Sequence, residues 1–283
     1  MADGAYRWFG SAPAPDAARV AQIHAGYDEQ SAHAFGEPAR ATTVGGLERA
    51  VAAARANDPS GITAALADTR ARIEALRPQV LEPRRGLAGL FDSRGNRLRQ
   101  FREDFLDTAA HITENAAAQG TTLDEAARRS GALETIWNEI RAAVADLDAH
   151  IAAAARRLTA HTAAPDGTPH PLQGRTETLE ACRSAALQSL PLIRSGQNVD
   201  GRTSEALRQC TDGLASWHSD WRDALGLTGK RPRRIRPDQD RLALSRDQAL
   251  ARIDRTLGEL ATLGVRRSQV ERRLATVAAS LKP

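Results

Sequence analysis

Aromatic residues, cysteine and long apolar runs are scarce in this sequence, and each shortage excludes a class of protein. Only 4% of the 283 residues are aromatic, and much of the apolar content is alanine, which buries little surface. A thick globular core is therefore not expected. Cys182 and Cys210 are the only cysteines, too few for a disulfide framework or a four-ligand metal site. Both fall in helical patterns typical of small buried thiols.

Membrane and export signals are also missing from the sequence. No apolar run approaches the roughly 18 residues that a spanning helix needs, and the first twenty residues lack the apolar stretch of a signal peptide. We therefore expect a cytoplasmic protein.

The patterns that accompany common catalytic and metal sites do not occur. The seven histidines form no His-x-x-x-His or His-Glu-x-x-His pair, and there is no Gly-x-Ser-x-Gly element. No phosphate-binding Gly-x-Gly-x-x-Gly is present, and Gly229-Lys230 is followed by Arg and Pro rather than by Ser or Thr. We expect no metal, no cofactor and no enzymatic activity.

Charge is nearly balanced, with 39 basic and 35 acidic side chains and a net charge of +4. This mixture is typical of solvated helices. The exception is a basic segment with five cations in seven residues: Lys230, Arg231, Arg233, Arg234 and Arg236. It is consistent with a solvated connector that caps the preceding helix, a membrane-surface patch or a nucleic-acid contact. Because no aromatic residues are interleaved and no known DNA-binding motif is present, nucleic acid is the least favoured partner.

Apolar residues recur three, four or seven positions apart along most of the chain, and no strand-like alternation is longer than four residues. The spacing predicts an all-α protein, an elongated bundle of long helices with coiled-coil-like antiparallel packing. One such seam consists of Leu123, Ala127, Leu133, Ile136, Ile140, Val144, Leu147 and Ile151.

Proline and glycine divide this helical pattern. We expect a flexible arm over 1–14, followed by a single elongated domain over 15–283. Its parts are N-terminal helices (15–78), long central helices (84–162), a Pro/Gly-rich loop (163–174) and C-terminal helices (175–283). The first helix is expected to reach about Phe35. Gly120 is expected to separate two central helices, and a slip in apolar phase near Gly264 predicts a bend or a change of packing partner.

The stretch 179–227 combines a helical pattern with an internal proline, Pro191, which predicts a bend. Long polar side chains surround it, and they form either an interhelical polar network or an anion site: Arg183, Gln188, Arg194, Gln197 and Asn198. Farther along, Trp217 and Trp221 lie one helical turn apart. They are interpreted as core anchors or, alternatively, as a partner-binding hot spot.

Several of these segments, in this order, resemble the toxic-anion-resistance (TelA/KlaA-like) family, which is associated with tellurite resistance. The most specific part is Leu187–Arg194 with Gln197-Asn198, which looks like the family's Gln-Ser/Thr-x-Pro-x-Ile-Arg…Gln signature, although Leu192 stands where the family prefers glutamine. Supporting similarity covers these further parts: Phe35–Leu76, Gly86–Ile112, Trp217 and the end of the chain from Arg266-Arg267 to Leu281.

The resemblance implies a cytoplasmic, all-helical protein linked to toxic-anion resistance and envelope stress, with no established enzymatic activity. The leading hypothesis is a non-enzymatic stress-resistance scaffold or adaptor, peripheral at the inner membrane face. The alternative is a coiled-coil adaptor that binds a protein partner, a membrane surface or a polyanion through 230–236, or that self-associates through its helices. A third hypothesis is an enzyme that acts on an oxyanion. It requires the side chains of Arg183, Arg194 and Gln197 to converge on one anion site.

Overall fold

The computed structural model describes residues 15–55, 60–82, 94–160, 169–229, 232 and 235–281. The predicted arm over 1–14 lies outside these residues. Within them the fold is all-α, as predicted. The helices are α1 (Ala17–Ala25), α2 (Glu37–Arg55), α3 (Ser60–Ala75), α4 (Arg94–Ala160), α5 (Pro171–Ala224) and α6 (Gln239–Ala279), with short 3-10 helices at Glu29–Ala34 and Pro78–Leu81.

The contacts divide the chain into two compact units. Unit 1 comprises the described residues of Met1–Asn57, Arg128–Val199 and Arg266–Pro283, and unit 2 those of Asp58–Ala127 and Asp200–Val265. The three long helices α4, α5 and α6 each supply a segment to both units. The prediction of one folding domain over 15–283 stays a prediction.

Unit 1 has a narrow core between α2 and segments of the three long helices. Its larger buried side chains come from all four helices: Leu47, Leu133, Ile136, Ile140, Val144, Leu190, Ile193, Val270 and Leu274. Alanines fill the remaining positions, so the helices lie close together. Smaller clusters extend this core to Leu147 and Leu179, and to Val20 of α1.

Unit 2 repeats this arrangement with α3 in the place of α2. The buried residues include four large aromatic rings in addition to aliphatic side chains: Leu66, Ile73, Phe101, Phe105, Leu207, Leu214, Trp217, Trp221, Leu242, Ile253 and Leu260. Phe101 lies 5.7 Å from Trp221, and Phe105 lies 5.5 Å from Trp217, between ring centroids. These pairs run in opposite order along α4 and α5, so the two helices are antiparallel in unit 2.

Two predicted interruptions are wrong. Helix α4 passes through Gly120, where two separate helices were expected. Helix α5 continues through Pro191, so the proline does not end the helix, and the bend expected there stays a prediction. In addition, α5 already begins at Pro171, inside the predicted 163–174 loop, because proline suits the first helical turn and the Leu172 amide donates to His170 Nδ1 at 3.1 Å. Residues 163–168 of that loop lie outside the described residues.

The first helix is shorter than predicted. Helix α1 ends at Ala25, and a 3-10 helix follows in which Asp28 accepts a hydrogen bond from the Gln30 amide at 3.3 Å. The chain then enters α2 through Gly36, whose φ of 69° is a conformation that favours glycine. Asp28 therefore begins a new turn where the helical spacing alone predicted a continuous helix.

The close approach of α2 to α4 in unit 1 depends on Gly46. A Cβ atom at this position would lie 2.8 Å from Ile140 Cγ1, whereas a Cβ at the adjacent Gly45 would meet nothing within 4 Å. Ile140 is fully buried, so its side chain has little room to move away.

We expect Gly46→Ala to destabilise the protein by about 1–2 kcal/mol, because overpacking in the core outweighs the gain in helix propensity. Gly45→Ala is the matched control and should stabilise it by about 0.5–1 kcal/mol. Urea unfolding followed by circular dichroism measures both. Equal effects of the two substitutions would contradict the close approach of α2 and α4.

Candidate functional site

The polar cluster around Arg194 is an interhelical network in unit 1. Arg194 of α5 binds Glu134 of α4 through both guanidinium ends, with Nη2 3.0 Å from Oε1 and Nη1 in close contact with Oε2. Arg194 Nη1 also donates to Gln197 Oε1 at 2.8 Å. The Gln197 amide nitrogen in turn donates to Glu134 Oε2 and to the Ser130 carbonyl, both at 3.1 Å. The guanidinium is thus already engaged by a carboxylate of the protein.

The indole ring of Trp137, on α4, packs against the Arg194 guanidinium of this network. The Arg194 guanidinium carbon lies 4.1 Å from the Trp137 ring centroid, and that of Arg141 lies 5.4 Å away. A guanidinium stacked on an aromatic ring gains cation–π attraction while it keeps its in-plane hydrogen bonds. Trp137 therefore helps to fix the orientation in which Arg194 meets Glu134.

The other predicted anion ligands do not join Arg194 and Gln197. Arg183 pairs with Asp148, another α4 carboxylate, whose side chain is only 11% exposed. Gln188 is exposed and donates to Ser184 Oγ at 3.2 Å on its own helix, and Asn198 is exposed. The two arginines thus meet different carboxylates, so the interhelical-network interpretation fits this geometry and the converging anion site does not.

Part of the predicted cluster instead borders a groove between α5 and α6 in unit 1, called the α5/α6 groove below. Its volume is about 620 Å³, and its walls combine apolar and polar side chains: Arg183, Ser184, Leu187, Gln188, Pro191 and Leu192 of α5 with Arg273, Thr276 and Val277 of α6. Pro191 is exposed here, and because proline has no amide hydrogen, the Leu187 carbonyl has no intrahelical donor four residues on.

Arg273 is the cation of this groove that remains available to a partner. Its side chain is exposed, and no hydrogen bond or ion pair joins it to another residue in the described part of the chain. Arg183, by contrast, is held by Asp148. Arg273, Thr276 and Val277 were not predicted as site residues. They lie more than 80 positions from Pro191 in the sequence, and only the antiparallel packing of α5 and α6 brings them together.

Trp217 and Trp221 lie in the interior of unit 2, where 3% and 0% of their surfaces are exposed. Their ring centroids are 5.1 Å apart, and Phe105 contacts both rings. This geometry fits core anchors and leaves almost no ring surface for a partner.

The basic segment lies largely outside the described residues, and the two cysteines are buried. In the basic segment, Arg236 is exposed, while Lys230, Arg231, Arg233 and Arg234 lie outside the described residues. Burial raises the pKa of both the Cys182 and the Cys210 thiols, so the neutral forms that suit buried positions are favoured.

Neither a metal site nor a membrane-spanning helix occurs in the described part of the chain. No group of three or more His, Cys, Asp or Glu side chains is arranged to hold a metal ion. No helix over the described ranges has the length and apolar character needed to cross a membrane.

Comparisons with known proteins identify no relative. No family model, no curated protein and no solved structure matches this chain.

The Arg194–Glu134 pair predicts a specific dependence of stability on pH. Arg194, with a smaller contribution from Gln197, holds the pKa of Glu134 below its ordinary value of 4.5. A carboxyl group whose pKa is lower in the folded protein than in the unfolded chain stabilises the fold at pH values above its unfolded pKa. This stabilisation declines as the pH falls below that value and is lost below the folded pKa. Because the Glu134 side chain is 45% exposed, solvent screening limits the contribution to about 0.5–1 kcal/mol.

We therefore expect Glu134→Gln to lower the free energy of unfolding by about 0.5–1 kcal/mol at pH 7 and by less at pH 3. Glu177→Gln, on an exposed position of α5, is the control and should change little at either pH. Urea titrations at the two pH values measure the difference. A loss of the same size at both would mean that Glu134 does not act through its charge.

Proposed function

We propose that this protein is a non-enzymatic helical scaffold or adaptor that holds a segment of a protein partner in the α5/α6 groove. The single observation behind the proposal is the groove itself, which offers apolar contacts from Leu187, Leu192 and Val277 beside the exposed Arg273. Such a surface suits an amphipathic segment whose apolar face lies in the groove. An acidic side chain on that segment would pair with Arg273.

The ion pairs of α5 favour an adaptor over an enzyme that acts on an oxyanion. Arg183 and Arg194 already bind Asp148 and Glu134, so an anion would have to displace a carboxylate from each. Displacement would also leave the Asp148 carboxylate, with its 11% exposed side chain, buried without its cation, which is costly. The guanidinium groups are therefore better suited to joining helices than to binding a substrate.

The proposed setting is resistance to tellurite or related toxic anions, with a role in envelope stress at the cytoplasmic face of the inner membrane. Its support is the similarity of Leu187–Arg194 and Gln197-Asn198 to the family signature. In this chain that signature supplies both the Glu134 network and, through Gln188, Pro191 and Leu192, one wall of the α5/α6 groove. A partner bound in the groove would contact residues of the signature directly.

A survival assay in a tellurite-sensitive bacterial host tests the setting and the groove together. Cells that express the wild-type chain should survive tellurite better than cells with an empty vector. Arg273→Glu should reduce this protection, because it reverses the charge that meets the partner. Arg272→Glu is the matched control: it makes the same charge change one position earlier on α6, where Arg272 donates to the Ser268 carbonyl and does not line the groove.

The outcomes separate the two parts of the proposal, provided that all variants accumulate to equal levels and keep their helical circular dichroism. Equal survival of wild type and empty vector would refute the resistance role. Protection by the wild type that Arg273→Glu leaves intact would refute the groove as its binding surface.

The basic segment supports a second candidate function, which is peripheral binding to an anionic membrane. Five cations lie within 230–236, Arg236 is exposed, and each cation near an anionic surface contributes about 1 kcal/mol. The membrane is favoured over nucleic acid because no aromatic side chains are interleaved to stack on bases.

We expect the wild-type protein to co-sediment with vesicles that contain phosphatidylserine, an anionic lipid, and to be released by added salt. Replacing Arg231, Arg233 and Arg234 by alanine should abolish co-sedimentation. Vesicles of phosphatidylcholine alone are the lipid control, and a DNA duplex at the same salt concentration tests the other polyanion. Absence of co-sedimentation with the phosphatidylserine vesicles would remove this function, whether or not the protein binds the DNA duplex.

A further inference from the structure

A small cavity in unit 2 lies between α3, α4 and α5, in the half of the aromatic core next to Phe105. Its volume is about 160 Å³. Two of its lining residues, Thr113 and Ala215, are exposed, so the cavity opens to solvent. Because one water occupies about 30 Å³ of the liquid, the space is larger than a single water needs. An apolar cavity of about this size accommodates one six-membered ring.

The cavity is lined by apolar side chains and by polar but uncharged ones. Ile112 and Leu214 are among its apolar residues, and the polar ones include Asn115, Gln119 and His218. Among the residues that the structure describes, no Asp, Glu, Lys or Arg lines it. Because an ion transferred to such a site would lose its hydration without gaining a counterion, the lining favours an uncharged ligand.

Gln119 carries the hydrogen-bonding argument. Its side chain is buried, with 5% of the residue surface exposed, and its carbonyl oxygen Oε1 accepts from Thr211 Oγ1 at 3.0 Å. Its amide nitrogen donates to no residue in the described part of the chain. Buried amide groups are normally satisfied, so this donor in the cavity lining is open to an acceptor that enters the cavity.

Asn115 and His218 add complementary groups to the same wall. The Asn115 amide nitrogen donates to Thr69 Oγ1 at 3.0 Å, while its carbonyl oxygen accepts from no described side chain or backbone group. Burial, with a smaller contribution from Arg222, lowers the pKa of His218, so its ring is neutral at physiological pH. A neutral imidazole offers one donor and one acceptor.

From this combination we infer that the cavity binds an uncharged single-ring compound that carries both hydrogen-bond donors and acceptors, of the size and polarity of a pyrimidine. The ring would pack against Ile112 and Leu214. Its polar edge would accept from the Gln119 amide and donate to the Asn115 carbonyl oxygen. This site is independent of the α5/α6 groove, which belongs to the other unit.

Uracil, benzene and benzoate are suitable probes, because they share the ring size and differ in polarity and charge. Titration of the full-length protein, followed by amide chemical shifts in NMR spectra, should show saturable uracil binding that perturbs residues around the cavity. Benzene should bind at least fivefold more weakly and benzoate should not bind there. Absence of uracil binding, or equal affinity for uracil and benzoate, would overturn the inference, and tighter binding of benzene would mean an apolar cavity only.

Two variants locate the site on the protein. Ala116→Leu places a larger side chain in the cavity lining and should weaken uracil binding at least tenfold. The matched control is Ala117→Leu, one position farther along α4, exposed and outside the lining, which should leave the affinity unchanged. Gln119→Leu should weaken uracil binding but not benzene binding. If both alanine variants bind uracil like the wild type, or if both lose it equally, uracil does not occupy this cavity.

Discussion

The antiparallel contact between α4 and α5 underlies both units. In unit 1 it places Glu134 against Arg194 and Asp148 against Arg183, and in unit 2 it places Phe101 and Phe105 against the two tryptophans. Large buried side chains of α4 and α5 contribute to the main core of each unit. Burial of one such side chain contributes about 1.5–3 kcal/mol, so this contact supplies a large part of the stabilisation of both helices.

This dependence explains why helix-breaking residues on α4 and α5 do not break them. Glycine within a helix costs about 1 kcal/mol relative to alanine, and proline about 3 kcal/mol. The local pattern at Gly120 predicted the end of a helix, and Pro191 lies where a proline normally kinks or ends one. Both helices are continuous at these positions, because buried residues before and after each one, such as Ile112 and Leu133 or Leu190 and Ile193, are held by neighbouring helices. Packing between helices therefore keeps α4 and α5 continuous, and the local sequence around Gly120 and Pro191 carries no information about that packing.

Features that depend on the residue spacing within a single helix were predicted well. The all-α fold follows from spacing within single helices, and so does most of the seam predicted on α4. Its five residues from Leu133 to Leu147 are buried, Leu123 and Ile151 are half-buried, and Ala127 is exposed. The phase slip near Gly264 also has a structural counterpart: Leu260 packs in the core of unit 2, and Val270 packs in that of unit 1. The partners of Arg194 and the far wall of the α5/α6 groove could not be predicted, because they depend on the register between helices.

Charge and polarity are distributed differently around the two proposed binding sites, and this difference bears on what each could recognise. In unit 1 the carboxylates of α4 neutralise Arg183 and Arg194, so the specificity of the α5/α6 groove depends on Arg273 and on its apolar contacts. An exposed cation is screened by solvent and salt, which suits reversible binding to a protein surface. In unit 2 none of the described residues that line the cavity is charged, and its amide and imidazole groups are partly shielded from water. There a ligand that lacks a complementary donor or acceptor would leave buried polar groups unsatisfied, and this penalty discriminates more sharply than an exposed ion pair.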